Sequence, residues 1–560
     1  MQPISPRRAL CVVGLAMSMP AAAQTVPLPD ETRRPQLPPP LPSQAPPRVL
    51  EAPVRPSISM PDGAAVIPSG FRVSGARSYP QAQLEEMLAL YVGKKLDIRS
   101  LNEAAGVLTR FYQSNGHFLS YAYLPAQRVA DGVIEIAVLE GRLEAVQIVT
   151  AQEVRLRDSV IQAYTDPLVS AAKDPAPVLQ STVERQLLLL NEVSGVTARG
   201  AFTPGSTTGG AEMVVSVAED EPLEVRFEAN NHGAASTGRY RGGVTLTFKD
   251  LFGWGDSTQA RGFTSNRGSL VSGSLSSQVP LGGDGWRVGA SVSRVKYQLT
   301  GAFRNLAAEG TSDATGVEAS YALLRSVAGN LTARAAFDHK RLRDDKGAAL
   351  FQDTQRTVNS GEVGVAGDFR DALGGIGAGS LTATHGSTRA RGWDAAPAPV
   401  LDKTGFNRIN FQFVRQQPLF GALSLYGRVT VQATDDNLDS SDKLGLGGAN
   451  AVRAYSSGEA SIDNGVIGSI ELRYTLDFLG GNMTGSLFQD YGGGRDRQGL
   501  RPNNAYVPYS PELAGTGIGL SWTSGNLGLN ASIAWRNSAR PTAEPSDPRP
   551  RLFFQMLYTP

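Results

Sequence analysis

Along the chain after Pro222, apolar and polar residues alternate in many short segments, and this pattern constrains the fold more than any other feature. The first such segment, Leu223–Asn230, reads LEVRFEAN, so that every second residue is apolar. A period of two is typical of a β-strand whose two faces meet different surroundings. The same division recurs in six further segments, at residues 244–248, 317–323, 409–413, 423–431, 470–474 and 527–535. Residues 222–560 are therefore predicted to form one large β structure.

The first 23 residues have the pattern of a secretory signal peptide. Arg7 and Arg8 precede an apolar run that ends at Met19, and small alanines follow it as a cleavage site. The alternative is a short membrane anchor, but the run is shorter than the roughly 20 residues that span a bilayer. Residues 1–23 are therefore predicted to be a signal peptide, and the chain to be exported.

Composition argues against several classes of function. The formal net charge of +1 gives no electrostatic reason to expect nucleic acid. The only cysteine, Cys11, lies in the predicted signal peptide, which excludes disulfides and thiolate metal sites from the mature chain. The acidic run Asp435–Asp439 suggests a calcium loop, but Ser440 replaces the turn glycine, so a solvated loop is expected. We expect no catalytic residues, no cofactor and no metal.

Residues 24–69 are rich in proline and poor in residues that could build a core. Thirteen of the chain's 35 prolines lie between Pro27 and Pro68. This composition predicts an extended linker, and a docking segment for another protein is the less favoured alternative.

Residues 70–143 and 144–221 have the patterns of two small mixed domains. The first contains a strand at 71–73, helices around 84–91 and 101–111, and strands at 119–124 and 133–139. The second contains a strand at 146–149, helices near 158–164 and 183–190, and strands at 196–201 and 211–217. Both units have the order β-α-α-β-β, which predicts two tandem domains.

Alternation alone does not distinguish a membrane barrel from a soluble sandwich or solenoid, because each has strands with two different faces. Residues 222–560 are long enough for about 16 membrane-crossing strands of roughly 10 residues. A closed barrel satisfies the backbone hydrogen bonds of every strand in lipid. The membrane barrel is favoured because an exported chain carries this region behind two small domains.

Separate segments of the chain resemble the TpsB transporters of two-partner secretion, a family that includes haemolysin and filamentous-haemagglutinin secretion proteins and is related to barrel-assembly insertases. Residues 108–142 and 185–196 resemble its POTRA domains, and residues 230–256 resemble its first barrel hairpin. The most specific matches are KLGLGGANAVRAY at 443–455 and FQDYG at 488–492. The resemblance implies two periplasmic β-α-α-β-β POTRA domains followed by a 16-stranded antiparallel transmembrane β-barrel.

The resemblance also implies a functional pair. In the family a long loop, here near residues 443–460, folds back into the lumen, and its arginine pairs with an aspartate of the wall. The candidate residues are Val452, Arg453, Ala454, Tyr455, Phe488, Asp490 and Gly492. Alternation independently places Asp490 on the lumen face, where an ordinary ladder of charges is the alternative. In a wet pore the pair would contribute on the order of 1 kcal/mol to stability.

The chain departs from the family pattern at two places. Ala454 stands where the family has glycine, and alanine does not freely adopt a positive φ. The sequence closes on Thr559 and Pro560, where family barrels finish on an aromatic residue that assembly factors recognise. Recognition is expected to use Phe554, Met556 and Tyr558.

The predicted function is secretion of a TpsA-like partner exoprotein from the periplasm to the cell surface. The predicted location is the outer membrane, with the POTRA domains in the periplasm. Contacts with outer-membrane lipid and, during biogenesis, with periplasmic chaperones and the barrel-assembly machinery are implied by the resemblance. The alternatives are an outer-membrane protein insertase and, less favoured, a passive porin or adhesin, and we expect no enzymatic activity.

Overall fold

The computed structural model describes residues 65–560 apart from 128, 130, 152–153, 346–352, 393–399, 497–508, 539–540 and 542–548. The predicted signal peptide, residues 1–23, and residues 24–64 of the predicted linker lie outside the described residues.

The first module, residues 65–141, packs helices against a three-stranded sheet. Its elements are β1 Ala65–Val66, β2 Gly70–Ser74, α1 Gln81–Glu86, a 3₁₀ turn at Ala89–Tyr91, β3 Leu96–Asp97, α2 Ile98–Ser114, β4 Tyr121–Tyr123 and β5 Val133–Leu139. The sheet order is β2-β5-β4, with β2 parallel to β5. Helix α2 begins where the Asp97 carboxylate accepts a hydrogen bond from the Ser100 amide at 2.8 Å. It buries Leu108 and Tyr112 against the sheet.

The second module, residues 142–221, repeats this arrangement. Its elements are β6 Arg142–Thr150, α3 Asp158–Lys173, α4 Gln180–Asn191, β7 Val196–Pro204 and β8 Gly210–Glu219. The sheet order β6-β8-β7 leaves β6 at one edge. Because β6 begins at Arg142, the division predicted between residues 143 and 144 falls inside this strand. The apolar run at 146–149, on which the prediction of a strand rested, covers only part of the second half of β6.

In the part of the chain that the structure describes, no helix combines the length and the apolar composition needed to cross a bilayer.

Sixteen antiparallel strands among the described residues close into one barrel, which confirms the predicted fold class. They are β9 Leu223–Asn230, β10 Arg241–Lys249, β11 Ser257–Ser265, β12 Leu270–Leu281, β13 Trp286–Gln298, β14 Glu309–Arg325, β15 Gly329–Asp345, β16 Asp353–Arg370, β17 Ile376–Gly392, β18 Val400–Phe420, β19 Leu423–Ala433, β22 Asn464–Phe478, β23 Gly481–Arg495, β24 Glu512–Ser524, β25 Leu527–Arg536 and β26 Arg551–Tyr558. Two short strands, β20 Leu444–Gly445 and β21 Ser461–Ile462, pair with each other apart from the wall, and 3₁₀ turns cover Asn266–Gly268 and Gly301–Leu306.

The two faces of the wall differ as the alternation predicts. Leu275, Phe337 and Ile470 lie on the outer face and are 49%, 51% and 63% exposed. On the inner face Arg334 forms ion pairs with Glu318 and Glu362 of the neighbouring strands. An apolar outer face suits lipid, and a charged inner face suits a wet lumen.

The barrel closes between its first and last strands over a short seam. Strands β26 and β9 share four residue pairs, from Gln555–Asn230 to Tyr558–Phe227, whereas β9 and β10 share eight. Asn231 extends the seam beyond the paired residues. Its side-chain amide donates to the Leu552 carbonyl at 2.9 Å and accepts from the Phe554 amide at 2.7 Å.

The second module is docked against the hairpin turns at the near end of the barrel. The Arg157 amide donates to the Gly253 carbonyl at 3.1 Å, and the Arg157 guanidinium lies 4.3 Å from the Trp254 ring centroid. On the next hairpins, Glu192 at the end of α4 pairs with Arg287 and Arg325 at 3.3 and 2.5 Å. These contacts fix the module beneath β10–β14.

Candidate functional site

The segment between β19 and β22, residues 434–463, lies inside the barrel, and we call it the inward loop. Its stem is residues 434–443, and its tip is residues 444–462. The tip is held together by the β20–β21 pair and by a hydrogen bond from the Leu446 amide to the Ala460 carbonyl at 2.9 Å. Leu446, Val452 and Tyr455 are fully buried, so the tip has a small apolar core of its own against the wall. The predicted inward loop near residues 443–460 therefore corresponds to this tip.

Arg453 of the tip grips Asp490 of β23 with a fork of two hydrogen bonds. Arg453 Nε donates to Asp490 Oδ2 at 2.8 Å, and Nη2 donates to Oδ1 at 2.7 Å. The Arg453 backbone amide also donates to Oδ2 at 3.0 Å. Because the amide and the guanidinium share one carboxylate, the contact fixes the backbone of the tip as well as the side chain. We call this contact the tip lock.

Further wall residues complete the surroundings of the guanidinium. Glu471 of β22 pairs with Arg453 Nη2 at 2.8 Å, and the Ser469 hydroxyl donates to Asp490 Oδ1 at 2.7 Å. The Arg453 guanidinium carbon lies 3.4 Å from the centroid of the Phe488 ring, which gives a cation–π contact. The strand pairs Ser469–Asp490 and Glu471–Phe488 place all four groups on the same inner face.

The tip lock is more buried than the sequence predicts, because the sequence analysis expects an ion pair in a wet pore. The Asp490 side chain is 0% exposed and the Arg453 side chain 12%. The packing of the inward loop against the wall excludes water here, so the value of about 1 kcal/mol for an exposed pair does not apply. Removing one partner from a buried pair costs about 3–5 kcal/mol, because the other charge remains without compensation.

The remaining candidate residues lie around the same contact. A Cβ added to Gly492 would lie 3.0 Å from Val452 Cγ2, so the wall glycine makes room for the tip. Tyr455 is buried, and its hydroxyl lies 3.1 Å from Ser538 Oγ. Ala454 is buried against Gly515 of β24. The structure thus brings all seven predicted residues together.

Sequence reasoning missed the contribution of β19 and β22. Ser469 and Glu471 have the lumen register that alternation gives to their strand, but the sequence does not show that this strand faces the tip. Arg428 of β19 was missed for the same reason, and its Nη2 donates to the Ala451 carbonyl at 3.0 Å. Long-range strand pairing supplies this information, and no local pattern contains it.

The expectation of a solvated loop at residues 435–439 is wrong for its last two residues. Leu438 is 0% exposed and Asp439 8%. Asp439 accepts a hydrogen bond from Arg356 of β16 at 2.6 Å. Asp439 of this run is therefore an ion-pair partner of the barrel wall.

A family model described as haemolysin secretion/activation protein ShlB/FhaC/HecB matches residues 209–522, which is more than half of the chain. The chain belongs to this family. A model of the ShlB-type POTRA domain matches residues 66–141, so the first module of this family member is a POTRA domain. The resemblance inferred from the sequence is confirmed.

Two named relatives cover most of the chain. The heme/hemopexin transporter protein HuxB of Haemophilus influenzae is 26% identical over 457 residues, 81% of this chain and 80% of the relative. The outer membrane transporter CdiB of Escherichia coli is 24% identical over 487 residues, 83% of this chain and 78% of the relative.

Solved structures show the same fold. CdiB from Escherichia coli superposes with a TM-score of 0.66 at 20% identity, covering 90% of this chain and 93% of that structure. CdiB from Acinetobacter baumannii gives a TM-score of 0.57 at 16% identity, covering 91% and 94%. As a member of the ShlB/FhaC/HecB family, the chain is an outer-membrane transporter for two-partner secretion of a partner exoprotein. Its barrel lies in the outer membrane and its POTRA domain faces the periplasm, so the barrel end that contacts the second module is the periplasmic end.

Proposed function

We propose that the tip lock between Arg453 and Asp490 holds the lumen of this transporter closed until a partner exoprotein arrives from the periplasm. The observation that carries the proposal is the buried fork across the lumen, because it fixes the tip to the wall at β22 and β23. The contact engages both the backbone amide and the guanidinium of Arg453, so its main effect is to fix the position of the tip. Its effect on the stability of the barrel is smaller, because the barrel already has sixteen paired strands.

We infer that capture takes place on the POTRA domain and the second module, by addition of a strand of the unfolded partner to an exposed sheet edge. Strand β6 is the best edge among the described residues, because its residues Ile148 and Val149 are 37% and 50% exposed. The edge of β2 is less suitable, because the Val73 amide already donates to Glu85 Oε1 at 3.1 Å. Main-chain hydrogen bonds would supply affinity for an extended chain of any sequence. The side chains of Ile148 and Val149 would add some selectivity for apolar segments of the partner.

We extend the proposal to the identity of the partner, to the energy source for its movement and to the contacts made during biogenesis. The partner is a TpsA-like exoprotein that folds outside the cell, and this folding drives directional movement, because the chain is proposed to catalyse no reaction. Outer-membrane lipid surrounds the apolar outer face, and periplasmic chaperones with the barrel-assembly machinery act during biogenesis.

Variants of the capture surface test the proposal. Val149→Lys should leave a heat-modifiable, membrane-assembled barrel but retain the partner in the periplasm, because a charge opposes docking of an apolar strand. Leu90→Lys is the matched control, because Leu90 is 77% exposed on the POTRA domain and away from β6. Deletion of residues 70–143, which removes the POTRA domain and the first two residues of β6, should also retain the partner in the periplasm while the barrel still assembles.

Unchanged secretion by the Val149→Lys variant would argue against capture at β6. Unchanged secretion after deletion of residues 70–143 would argue against a role of the POTRA domain in capture. Depletion of the whole protein distinguishes a transporter from an insertase. Loss of the partner alone from the cell surface would support the transporter, whereas a general loss of outer-membrane proteins would indicate an insertase.

A further inference from the structure

The stem of the inward loop has a polar anchor of its own, separate from the tip lock. The Asp442 side chain is 0% exposed and accepts a hydrogen bond from Arg408 of β18 at 3.1 Å. Lys340 of β15 lies 3.5 Å from the same oxygen. Arg408 also donates to the Asp442 backbone carbonyl at 2.8 Å, so the anchor fixes the main chain of the stem.

A second carboxylate, three residues earlier, strengthens this anchor. Asp439 accepts from Arg356 of β16 at 2.6 Å, and the same guanidinium donates to the Ser440 hydroxyl at 2.8 Å. Arg356 also forms an ion pair with Asp344 of β15 at 2.5 Å, and this pair orients its guanidinium. We call the contacts of Asp439 and Asp442 with these three wall cations the stem clamp.

An apolar seat lies beside the stem clamp. Leu438 is fully buried against Phe406, Leu342 and Val358, which belong to three different wall strands. The Leu438 amide donates to Asp463, the last residue of the inward loop, at 3.0 Å. The two ends of the loop are therefore tied to each other and to the wall.

The stem clamp and the tip lock have opposite polarity. In the stem clamp the loop supplies carboxylates and the wall supplies cations, whereas in the tip lock the loop supplies a cation and the wall supplies carboxylates. Outside the stem clamp, Lys443 of the stem pairs with Asp496, just after β23, at 2.5 Å. The consequences of release differ. If the tip leaves, Glu471 keeps its ion pair with Arg473 at 2.7 Å, and Asp490 keeps the Ser469 hydroxyl.

If the stem leaves, Lys340 and Arg408 lose Asp442, and Arg356 loses Asp439 and keeps Asp344, in a part of the wall where the three cationic side chains are 5–13% exposed. Separating buried charges from their partners is costly at both places, but release of the stem breaks ion pairs of three wall cations and release of the tip those of two wall carboxylates, so the wall favours release of the tip. The tip also begins with a glycine-rich run, GLGG at residues 445–448, and Gly448 has a φ of 118° that favours glycine.

We propose that the stem clamp is a fixed hinge, and that only the tip, residues 444–462, leaves the wall when the partner passes. The inference rests on the proposed function, because it assumes that the tip moves. Asp439 and Asp442 are then positioning residues, which keep the inward loop attached at the extracellular end of the lumen and return the tip to Asp490 after each partner.

Reversible cross-links in the full-length transporter test the hinge. The stem pair is Asn407→Cys with Asp436→Cys, since Asp436 Oδ2 accepts from the Asn407 amide at 2.7 Å. The tip pair is Val452→Cys with Gly492→Cys, whose side chains would be in contact. Each pair is closed in cells with a short, reducible bis-methanethiosulfonate, checked by gel mobility, and assayed for partner secretion before and after reduction.

We expect the stem bridge to leave secretion within about twofold of the reduced protein, and the tip bridge to lower it about tenfold or more until it is reduced. A stem bridge that blocks secretion reversibly would overturn the hinge and leave gating by the tip intact. Undiminished secretion through the tip-bridged protein would overturn the gating itself. Single-cysteine variants treated with the same reagent control for modification alone, and Phe406→Cys with Leu438→Cys supplies a second stem pair.

Discussion

Ala454 of the inward loop lies directly against Gly515 of β24, and a Cβ built on Gly515 would come within 2.4 Å of the Ala454 Cβ. Ala454 occupies the position where the family has glycine, and it is not one of the described residues with positive φ. The additional methyl group is accommodated because the facing wall residue has no side chain. The departure at Ala454 is therefore matched by the wall and does not require a strained tip.

Gly515→Val should displace the tip and weaken the tip lock, because the new side chain would overlap the Ala454 methyl group. Overpacking of this kind typically costs about 1–3 kcal/mol. The measurement is single-channel conductance in planar bilayers, in which we expect a higher open probability. Ala454→Gly in the same chain should restore part of the closed state.

Gly485→Val is the matched control for Gly515→Val. A Cβ at Gly485 on the neighbouring strand β23 meets no atom within 4 Å. Equal conductance changes in the two variants would contradict the steric account.

Arg453→Ala should open the channel. Loss of the guanidinium leaves the buried Asp490 carboxylate without its fork, at a cost of about 3–5 kcal/mol to the closed state. A difference of that size shifts a two-state equilibrium by about 100-fold or more. Arg453→Lys should also open the channel, because lysine cannot form the fork. Conductance that is insensitive to Arg453→Ala would favour a passive porin.

Gly283→Ala should loosen the second module from the barrel. A Cβ at Gly283, in the turn between β12 and β13, would lie 1.9 Å from the Ala163 carbonyl oxygen of α3. The contacted oxygen belongs to the backbone of α3, which cannot move aside as a flexible side chain can. The second module must therefore shift. Limited proteolysis between β8 and β9 should become faster in the assembled protein. Gly273→Ala, where a Cβ meets nothing within 4 Å, should leave the cleavage rate unchanged.

Glu140→Gln should destabilise the POTRA domain near neutral pH. Burial raises the pKa of Glu140, but hydrogen bonds from the Ser78 and Arg77 amides and the Tyr112 hydroxyl outweigh it, so the pKa lies below its usual 4.5. A lowered folded pKa contributes stability above pH 4.5 that is lost as the pH falls through the folded value. The variant should lose about 1–2 kcal/mol.

Hydrogen exchange of the α2 amides in the full chain measures this effect against wild type at each pH. The difference should be present at pH 7 and shrink below about pH 4.5. A difference that is independent of pH would mean that the Glu140 charge is not responsible.

The sequence predicts the parts of this molecule that have a local period. The length of residues 222–560 allows about 16 strands, and the two-residue alternation places Phe488, Asp490 and Gly492 on the inner face, as found. It does not give the burial of the tip lock, because the loop excludes water only after it has folded into a closed wall. Asp439 was misread for a related reason: its cation, Arg356, comes from a strand 83 residues earlier in the chain.

The seam between β26 and β9 determines how the cylinder responds to mechanical load. Its four residue pairs are the fewest that join any two neighbouring strands of the described wall, and the side-chain amide of Asn231 adds two hydrogen bonds. A pulling force applied at Tyr558 would therefore peel β26 away first, while the longer ladders stay intact. In force spectroscopy the first rupture should be the weakest, and Asn231→Ala should lower it further.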